Sequence, residues 1–243
     1  LHPRVRRQRQ MCIRDRRNAA MPLSSMNVNP KQIGESNNDY ALRILTDNIM
    51  SLKLAPGEVL NDKLIAEKLG ISRTPVREAF VCLRFRKLVT SFPQSHSYVS
   101  KINLGYVDEG IFLRHALEQR IIEVALAKAS STDIANLQYI IKQQRVAIDR
   151  HNSSDFLFWD HEFHCFFFRI AGKPWCWENM QSITTHHRRI QQLVIACGDD
   201  DVEMLLPYEE HQRLFDMFIS GELTEDFPVF LMNHIGYRRL LPI

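Results

Sequence analysis

Residues 64–79 read Leu-Ile-Ala-Glu-Lys-Leu-Gly-Ile-Ser-Arg-Thr-Pro-Val-Arg-Glu-Ala and decide the fold of the N-terminal part of the chain. The first six residues have the apolar spacing of a short helix, which Gly70 can end because glycine readily adopts a left-handed backbone. Ser72 is the expected N-cap of a second helix, and Pro75 fits its first turn, where a missing N–H costs little. The stretch predicts a helix-turn-helix.

The sequence on both sides of this stretch completes a small domain over residues 37–102. Upstream, apolar residues at helical spacing predict a helix that Ala55-Pro56-Gly57 ends. Downstream, Leu88–Phe92 and Tyr98–Ile102 predict two short strands joined by a polar turn. Three helices followed by a hairpin predict a winged helix-turn-helix, with the hairpin as its wing.

The second predicted helix carries side chains suited to DNA. The N-terminal residues of such a helix face base edges in the major groove. Arg73 and Arg77 lie one turn apart on one face, and a guanidinium can bond guanine O6 and N7 together, or a phosphate. The predicted DNA contacts are therefore Ser72, Arg73, Thr74, Arg77 and, at the wing tip, His96. The alternative is a small helical domain whose arginines are solvated.

The net charge of +3 conceals a strong asymmetry along the chain. Residues 1–36 carry a net charge of +6, residues 37–102 carry +4, and residues 103–243 carry −7. A basic first part joined to an acidic second part predicts a polyanion-binding module attached to a domain with another role. Residues 1–36 are interpreted as a disordered or spurious basic extension; the alternative is an arm that contacts DNA phosphates.

After Asn103 the pattern is almost wholly helical. Helices are predicted near 107–129, 132–150, 153–171, 174–197, 202–220 and 225–240. No stretch of about 18 uncharged apolar residues occurs, which excludes a membrane-spanning helix. Five scattered cysteines without a C-x-x-C pair indicate a reducing compartment, so the cytoplasm is expected.

The most informative stretch of the second part is Trp159-Asp160-His161-Glu162-Phe163-His164. Asp160 and His164 are four residues apart, so they share one helix face and can chelate one ion. With His211 and His234 on later helices, one aspartate and three histidines would suit zinc, nickel or manganese. The alternative, from spacing alone, is a set of hydrogen-bonded core histidines.

Aromatic residues crowd the same predicted helix. They cover nearly every direction around it, which indicates packing on two sides and would suit a dimer. These residues are Phe156, Phe158, Trp159, Phe163, Phe166, Phe167 and Phe168.

Residues 40–102 resemble the DNA-binding domain of GntR-type bacterial regulators. The resemblance rests on Leu54-Ala-Pro-Gly-Glu-Val-Leu60 and on residues 64–79. It implies operator contacts from Arg73 and Arg77 and from a second-helix position that is Lys63 here. Lysine keeps the phosphate charge but lacks the bidentate fork of arginine. His96 and Lys87 stand where the family usually has glycine, so the wing geometry is expected to differ.

Residues 107–240 resemble the FCD ligand domain of the FadR subfamily. The resemblance rests on Asp-x-x-Phe-His and on the later histidines. It implies a divalent metal held by Asp160, His164, His211 and His234. An extra residue after Gly221, with Pro228 in or near the first turn of the last helix, is a departure from the family pattern; if it shifts the register, His234 misses the site. Arg114 resembles a family arginine that meets a bound carboxylate; its alternative role is a salt bridge to Glu118.

These expectations combine into one architecture and one function. The fold is expected to be mainly α, with a basic extension at 1–36, a winged helix-turn-helix at 37–102 and an all-helical FCD-type bundle of six to seven helices at 103–243. The resemblance implies a dimeric, metabolite-responsive transcriptional regulator, a repressor, that binds a pseudo-palindromic operator in double-stranded DNA. A divalent metal and a small carboxylate are its expected ligands, with no membrane partner and no enzymatic activity.

Two alternatives remain at this point. One is a metal-dependent hydrolase with a basic appendage, since a metal with an open position can activate water. Glu162 is the only nearby candidate for its base, and it lies about 200° around the helix from Asp160. The other is an architectural nucleic-acid-binding protein, which leaves the four metal-type residues without a role.

Overall fold

A computed structural model describes residues 25–92, 96–197 and 200–236. Over these residues the chain forms ten α-helices and three short strands, which confirms the mainly α prediction. The basic stretch at residues 1–24, the hairpin turn at 93–95 and the end of the predicted last helix, 237–240, lie outside the described residues. The elements are α1 (Asn37–Met50), β1 (Val59–Leu60), α2 (Asp62–Leu69), α3 (Arg73–Phe85), β2 (Val89–Ser91), β3 (Ser97–Val99), α4 (Leu104–Leu126), α5 (Ser131–Asp149), α6 (Ser153–Ala171), α7 (Pro174–Ile183), α8 (Thr185–Cys197), α9 (Asp200–Ser220) and α10 (Phe227–Ile235).

The described residues form two compact units. The first unit contains residues 25–107 together with Thr185–Leu193, which is most of α8. The second contains Asp108–Thr184 and the described residues from Val194 onward. One segment of the C-terminal half of the sequence therefore belongs to the unit that contains the helix-turn-helix.

In the first unit, α1 packs across α3, and α2 closes the other side of α3. The hydrophobic effect holds these helices together, because each presents an apolar stripe to a shared core. Ile44 of α1, Ile65 of α2 and Leu83 of α3 are at most 1% exposed.

The wing is a three-stranded antiparallel sheet in the order β1-β3-β2. Val89 pairs with Val99 across the hairpin, and Val59 of β1 pairs with Tyr98 on the other side of β3. The sequence predicted the hairpin but not β1, because a two-residue strand has no periodicity to detect. The wing is thereby anchored to the segment between α1 and α2.

Backbone conformation explains the turn of the helix-turn-helix. Asn61 caps α2 by accepting hydrogen bonds from two backbone N–H groups, and Gly70 ends it in the left-handed region at φ 67°. Ser72 has the extended backbone of an N-cap, as predicted, but its hydroxyl makes no cap hydrogen bond. Lys87 also adopts a left-handed backbone, at φ 57°, which accounts for the glycine that the family usually has there.

Residues 25–36, the described part of the predicted extension, are mostly exposed but contact α1 at a few positions. Met26 is 4% exposed and belongs to the core of the first unit. The N–H of Asn27 donates to Oδ1 of Asn48 at 2.7 Å, and Arg43 donates to Glu35 at 2.7 Å. Asn48 itself is buried, and its Nδ2 donates to the carbonyls of Asn27 and Ile44, so both ends of its amide are hydrogen-bonded.

The single helix predicted for 174–197 is two helices, because the chain breaks at Thr184. The N–H and the hydroxyl of Thr184 both donate to the carbonyl of Met180, and Ile183, Thr184 and Thr185 are β-branched residues with reduced helix propensity. At the start of α8, the Thr185 hydroxyl donates to the Arg86 carbonyl at 3.0 Å.

His186 continues this attachment within the first unit. Its Nδ1 accepts from the N–H of Asn103 at 3.1 Å, which leaves Nε2 to donate to the Lys87 carbonyl at 3.0 Å. Burial lowers the pKa of His186 to about 4, with the charge of Arg189 contributing. The first turn of α8 therefore holds the segment that follows the helix-turn-helix.

The second unit consists of α4 from Asp108 onward, α5–α7, α9, α10 and the end of α8. Helix α6 packs extensively on α5, and α9 packs on both. The predicted bounds of α6 agree with the structure, and Gly172 ends the helix in the left-handed region as its C-cap. Four of its phenylalanines are buried, whereas Phe158 is 55% exposed. The buried face of α6 also carries Asp160 and His164.

We expect Leu83→Ala to reduce the free energy of unfolding of the first unit by about 2–5 kcal/mol, because it removes a side chain with no exposed surface from a closed core. Val81→Ala is the matched control on the same helix, since Val81 is 42% exposed. Its effect should stay within about 0.5 kcal/mol. Urea unfolding followed by circular dichroism measures both variants, and equal effects would show that α3 does not pack as described.

Candidate functional site

The N-terminus of α3 presents two exposed arginines that share one acidic partner. Nη2 of Arg73 lies 2.9 Å from Oδ1 of Asp62, and Nε of Arg77 lies 2.5 Å from Oδ2. The arginine side chains remain 51% and 62% exposed, so they stay accessible to a ligand. Both ion pairs contribute to a lowered pKa of Asp62, in opposition to its partial burial. The pairs align the two guanidinium groups on one surface.

The other predicted DNA contacts lie on exposed positions as well. Lys63 is on the first turn of α2, and Ser72 and Thr74 are at the start of α3. The Ser72 hydroxyl is not used as a helix cap and is able to donate to a phosphate oxygen. His96 is exposed immediately before β3. Asp62 is the residue of this surface that the sequence analysis missed.

Three histidines converge in the interior of the second unit. Nε2 of His164 lies 3.3 Å from Nε2 of His211 and 3.2 Å from Nε2 of His234. All three residues are buried, on α6, α9 and α10. Nitrogens bound to one zinc at about 2.0–2.1 Å in tetrahedral geometry are about 3.3–3.4 Å apart, so the spacing fits one ion.

Each of these imidazoles has its Nδ1 directed at a different polar side chain. Nδ1 of His211 lies 2.9 Å from Oε1 of Gln144, and Nδ1 of His234 lies 2.9 Å from Oε2 of Glu210. Nε2 of Gln144 donates to the Trp159 carbonyl, which fixes the amide with its oxygen toward His211.

His164 has the third such partner. Its Nδ1 lies 2.8 Å from Oε2 of Glu118, a close charged contact rather than an ideally angled hydrogen bond. Each Nδ1 therefore faces an oxygen atom, and tautomers with the proton on Nδ1 would leave three Nε2 lone pairs facing one another. Such an arrangement is unfavourable unless a cation lies between them, so the donor set fits a metal ion.

The electrostatics favour neutral imidazoles at His164 and His211 and an ionised carboxylate at Glu118. Burial lowers the pKa of His164, partly opposed by the charge of Glu118. Burial, together with the other two histidines, lowers the pKa of His211 well below its usual value. Burial raises the pKa of the Glu118 carboxyl, but Arg114 and His164 outweigh this effect, so the pKa is lowered. Neutral imidazole is the form that coordinates metals.

Asp160, the fourth predicted ligand, is buried beside this cluster. Its Oδ1 lies 3.7 Å from Nε2 of His211, farther than the histidine nitrogens are from His164. A carboxylate there places a negative charge near the histidines, which suits a divalent cation. The structure thus brings the three histidines together and places Asp160 beside His211.

The structure shows no register shift at His234. Pro228 is the second residue of α10, where the helix requires no hydrogen bond from it, and His234 reaches the cluster. Its partner Glu210 directly precedes His211, so the sequence alone could have indicated that Glu210 lies near the histidines. Glu118 and Gln144 are distant from the histidines in sequence, and their contribution could be found only from the packing of α4 and α5.

Arg114 forms the buried salt bridge to Glu118 that was one of its two predicted roles. Its Nε lies 2.6 Å from Oε1 of Glu118, and both side chains are less than 10% exposed. Because Oε2 of the same carboxylate faces His164, Arg114 is linked to the histidine cluster through Glu118.

The fold and the two sites define a class of protein, one with a winged helix-turn-helix DNA-binding domain and a helical domain that contains a buried histidine cluster. Comparisons with known families identify the family within this class. The model for bacterial regulatory proteins of the gntR family matches residues 40–99, and the model for the FCD domain matches residues 109–225. The chain belongs to the GntR family of transcriptional regulators and carries an FCD domain.

Named relatives agree with this assignment. The chain is 32% identical over 156 residues to the HTH-type transcriptional repressor RspR of Escherichia coli K12, covering 64% of this chain and 68% of RspR. It is 25% identical over 186 residues to the Nta operon transcriptional regulator of Aminobacter aminovorans, covering 76% and 85% of the two chains.

Solved structures support the fold. The structure of McbR/YncC from E. coli matches with a TM-score of 0.71 at 20% identity, covering 84% of this chain and 96% of that one. A GntR regulator from Rhodococcus sp. RHA1 matches with a TM-score of 0.65 at 20% identity, covering 83% and 95%.

The same comparisons decide the class of activity. Both matched domains and the named relatives are those of transcriptional regulators, so the chain is not an enzyme and the hydrolase alternative has no support. Among the described helices, none combines the length and apolar composition that a membrane span requires.

We expect Asp62→Asn to raise the affinity for random double-stranded DNA several-fold, equivalent to about 0.5–1 kcal/mol. The substitution removes a negative charge beside two arginines and frees both for phosphates. Glu67→Gln, on an exposed position of the same helix, is the matched control. Fluorescence anisotropy across a salt series measures both; an unchanged or weaker affinity for Asp62→Asn would show that alignment of the arginines outweighs their release.

Proposed function

We propose that this GntR regulator is a dimeric repressor whose DNA binding responds to a small carboxylate held at a divalent metal in its FCD domain. The observation that carries the proposal is the convergence of three histidine Nε2 atoms within about 3.3 Å, each with its Nδ1 facing a separate acceptor. Asp160, His164, His211 and His234 are the proposed ligands.

The donor set decides which metals are compatible. Three imidazoles and one carboxylate suit a borderline divalent ion, so zinc, nickel and manganese are the candidates. When bound, such an ion supplies a Lewis-acidic position for an oxygen ligand. Four protein ligands would leave one or two positions for that ligand in a five- or six-coordinate site, as nickel and manganese allow.

Arg114 is the proposed second contact of the effector carboxylate. Arginine carries five N–H donors in a planar fork, so one side chain is able to hold Glu118 and a second carboxylate together. Because Glu118 also faces His164, binding at Arg114 and at the metal would be coupled. An anion from central or sugar-acid metabolism matches this chemistry.

The DNA side of the proposal rests on the exposed surface at the start of α3. Lys63, Ser72, Arg73, Thr74, Arg77 and His96 are the proposed contacts. A two-fold dimer presents two such surfaces and reads two half-sites, which predicts a pseudo-palindromic operator. RspR is named a repressor, and this supports repression as the mode of action. The bacterial DNA lies in the cytoplasm, where we place the protein.

The proposed domain organisation follows the sequence boundaries. A basic extension occupies residues 1–36, the DNA-binding domain 37–102 and the FCD domain 103–243. The structure groups Thr185–Leu193 with the first unit, so the compact units do not coincide with the two sequence domains along the whole chain.

The protein should bind one divalent ion per chain, and His211→Ala or His234→Ala should abolish binding. Glu118→Gln should weaken metal affinity about 10–100-fold, because it removes the charge that orients His164. Glu123→Gln, on the same helix but in an exposed ion pair with Arg120, should leave affinity unchanged. Elemental analysis and competition with a chelating dye measure these effects. Less than roughly a tenth of an equivalent after loading would refute the site.

The response to carboxylates should require the metal, whereas DNA binding itself should not. Asp160→Ala or chelation should abolish the effect of a carboxylate panel on operator affinity, expected to be about 5–150-fold in the wild type. Basal operator affinity should change little. The operator is first selected from random DNA, and anisotropy then measures affinity with and without each acid. A carboxylate response that persists after complete metal removal would contradict the mechanism.

A further inference from the structure

Arg189 on α8 is a fully buried arginine for which the structure offers no counter-charge. Its side chain has 0% exposure. Among the residues that the structure describes, none accepts a hydrogen bond from its Nε, Nη1 or Nη2. Arginine has five N–H donors and stays protonated in proteins, so three nitrogens without acceptors are exceptional.

Arg114, the other arginine that is buried among the described residues, has a counter-charge and serves as a comparison. That side chain is 6% exposed and is paired at 2.6 Å with Glu118, which is equally buried. A buried charge is costly unless it is paired and hydrogen-bonded, and a buried arginine without a partner is correspondingly unfavourable. Burial lowers the pKa of Arg189 to about 10, which still leaves the guanidinium charged at neutral pH.

The surroundings of Arg189 on α8 are unusually polar for a helix interior. Polar side chains occupy most buried positions of its first two turns. These are Thr185, His186, His187, Arg189 and Gln191. Thr185 and His186 are hydrogen-bonded to backbone groups, and His187 and Gln191 have partners as well, so Arg189 is the one of these five whose side-chain nitrogens have no acceptor among the described residues.

We infer that Arg189 anchors an anion-binding site in the first unit, one that takes a carboxylate or phosphate group. The planar guanidinium fork matches the oxygens of either group with two parallel hydrogen bonds. An anion bound there supplies the counter-charge and the acceptors that the described residues do not. This site goes beyond the proposed metal centre, whose ligands belong to the second unit.

The position of Arg189 suggests what an anion there would affect. Thr185 and His186, one turn earlier on α8, hold the carbonyls of Arg86 and Lys87 at the end of α3. A change in the position or order of α8 on binding would therefore reach the helix that carries Arg73 and Arg77. The anion site is placed to modulate the DNA-binding unit from within that unit.

Thermal unfolding of the full-length protein tests the site with two probes, inorganic phosphate and succinate, against sodium chloride at equal ionic strength. In the wild type, one or both anions should raise Tm, and the probe that acts identifies the class of ligand. Arg189→Met should abolish this rise and also raise Tm without added anion by about 2–4 °C, because it removes an unpaired buried charge. Arg189→Lys, which keeps the charge but not the fork, should reduce the response.

Arg188→Met is the matched control, since Arg188 is adjacent and has partners in the structure. It should keep the anion response. The inference is overturned if neither probe raises the wild-type Tm above the chloride control, or if Arg189→Met lowers Tm and retains the response. His211→Ala separates this site from the proposed metal centre, because a response that survives there and is lost in Arg189→Met supports the anion site even if the protein binds no metal.

Discussion

Three buried imidazoles that each use Nδ1 for a protein acceptor constrain the second unit more than any other interaction. With Nδ1 of each histidine directed at Glu118, Gln144 or Glu210, the Nε2 atoms lie together on the opposite side of the rings. The acceptors lie on three helices and the histidines on α6, α9 and α10, so the centre joins five helices of the unit. Packing of the phenylalanine face of α6 brings the centre together, and the centre in turn fixes the register of α10.

Several other charged side chains described above have a nearby partner of opposite charge, and the groups that lack such a partner indicate function. Asp62 is shared by two exposed arginines, and Arg114 is matched by Glu118. The Nε2 atoms of the three histidines lie against one another, and the Arg189 guanidinium has no hydrogen-bond acceptor among the described residues. The first group calls for a cation and the second for an anion. A regulator that senses a metabolite needs places where a small charged molecule completes the structure, and these two have that property.

The sequence predicted the fold well where a local pattern was strong. Gly70, Gly172 and the apolar spacing of α6 gave helix ends within a residue or two, because caps and amphipathic stripes act over short distances. The break at Thr184 and the strand β1 were missed, since neither has a breaker residue or a period. The four metal-type residues were predicted through the family resemblance. Their acceptors Glu118 and Gln144 could not be, because only tertiary packing brings those side chains to His164 and His211.

The central claim is that the three histidines present Nε2 to a common point while Nδ1 carries the proton. Long-range proton–nitrogen correlation NMR on the metal-free protein reports the tautomer of each imidazole directly. We predict neutral Nδ1–H tautomers for His164, His211 and His234 at neutral pH, and a shift of all three Nε2 resonances when one equivalent of zinc is added. Nε2–H tautomers, or Nε2 resonances that zinc leaves unchanged, would contradict the metal centre.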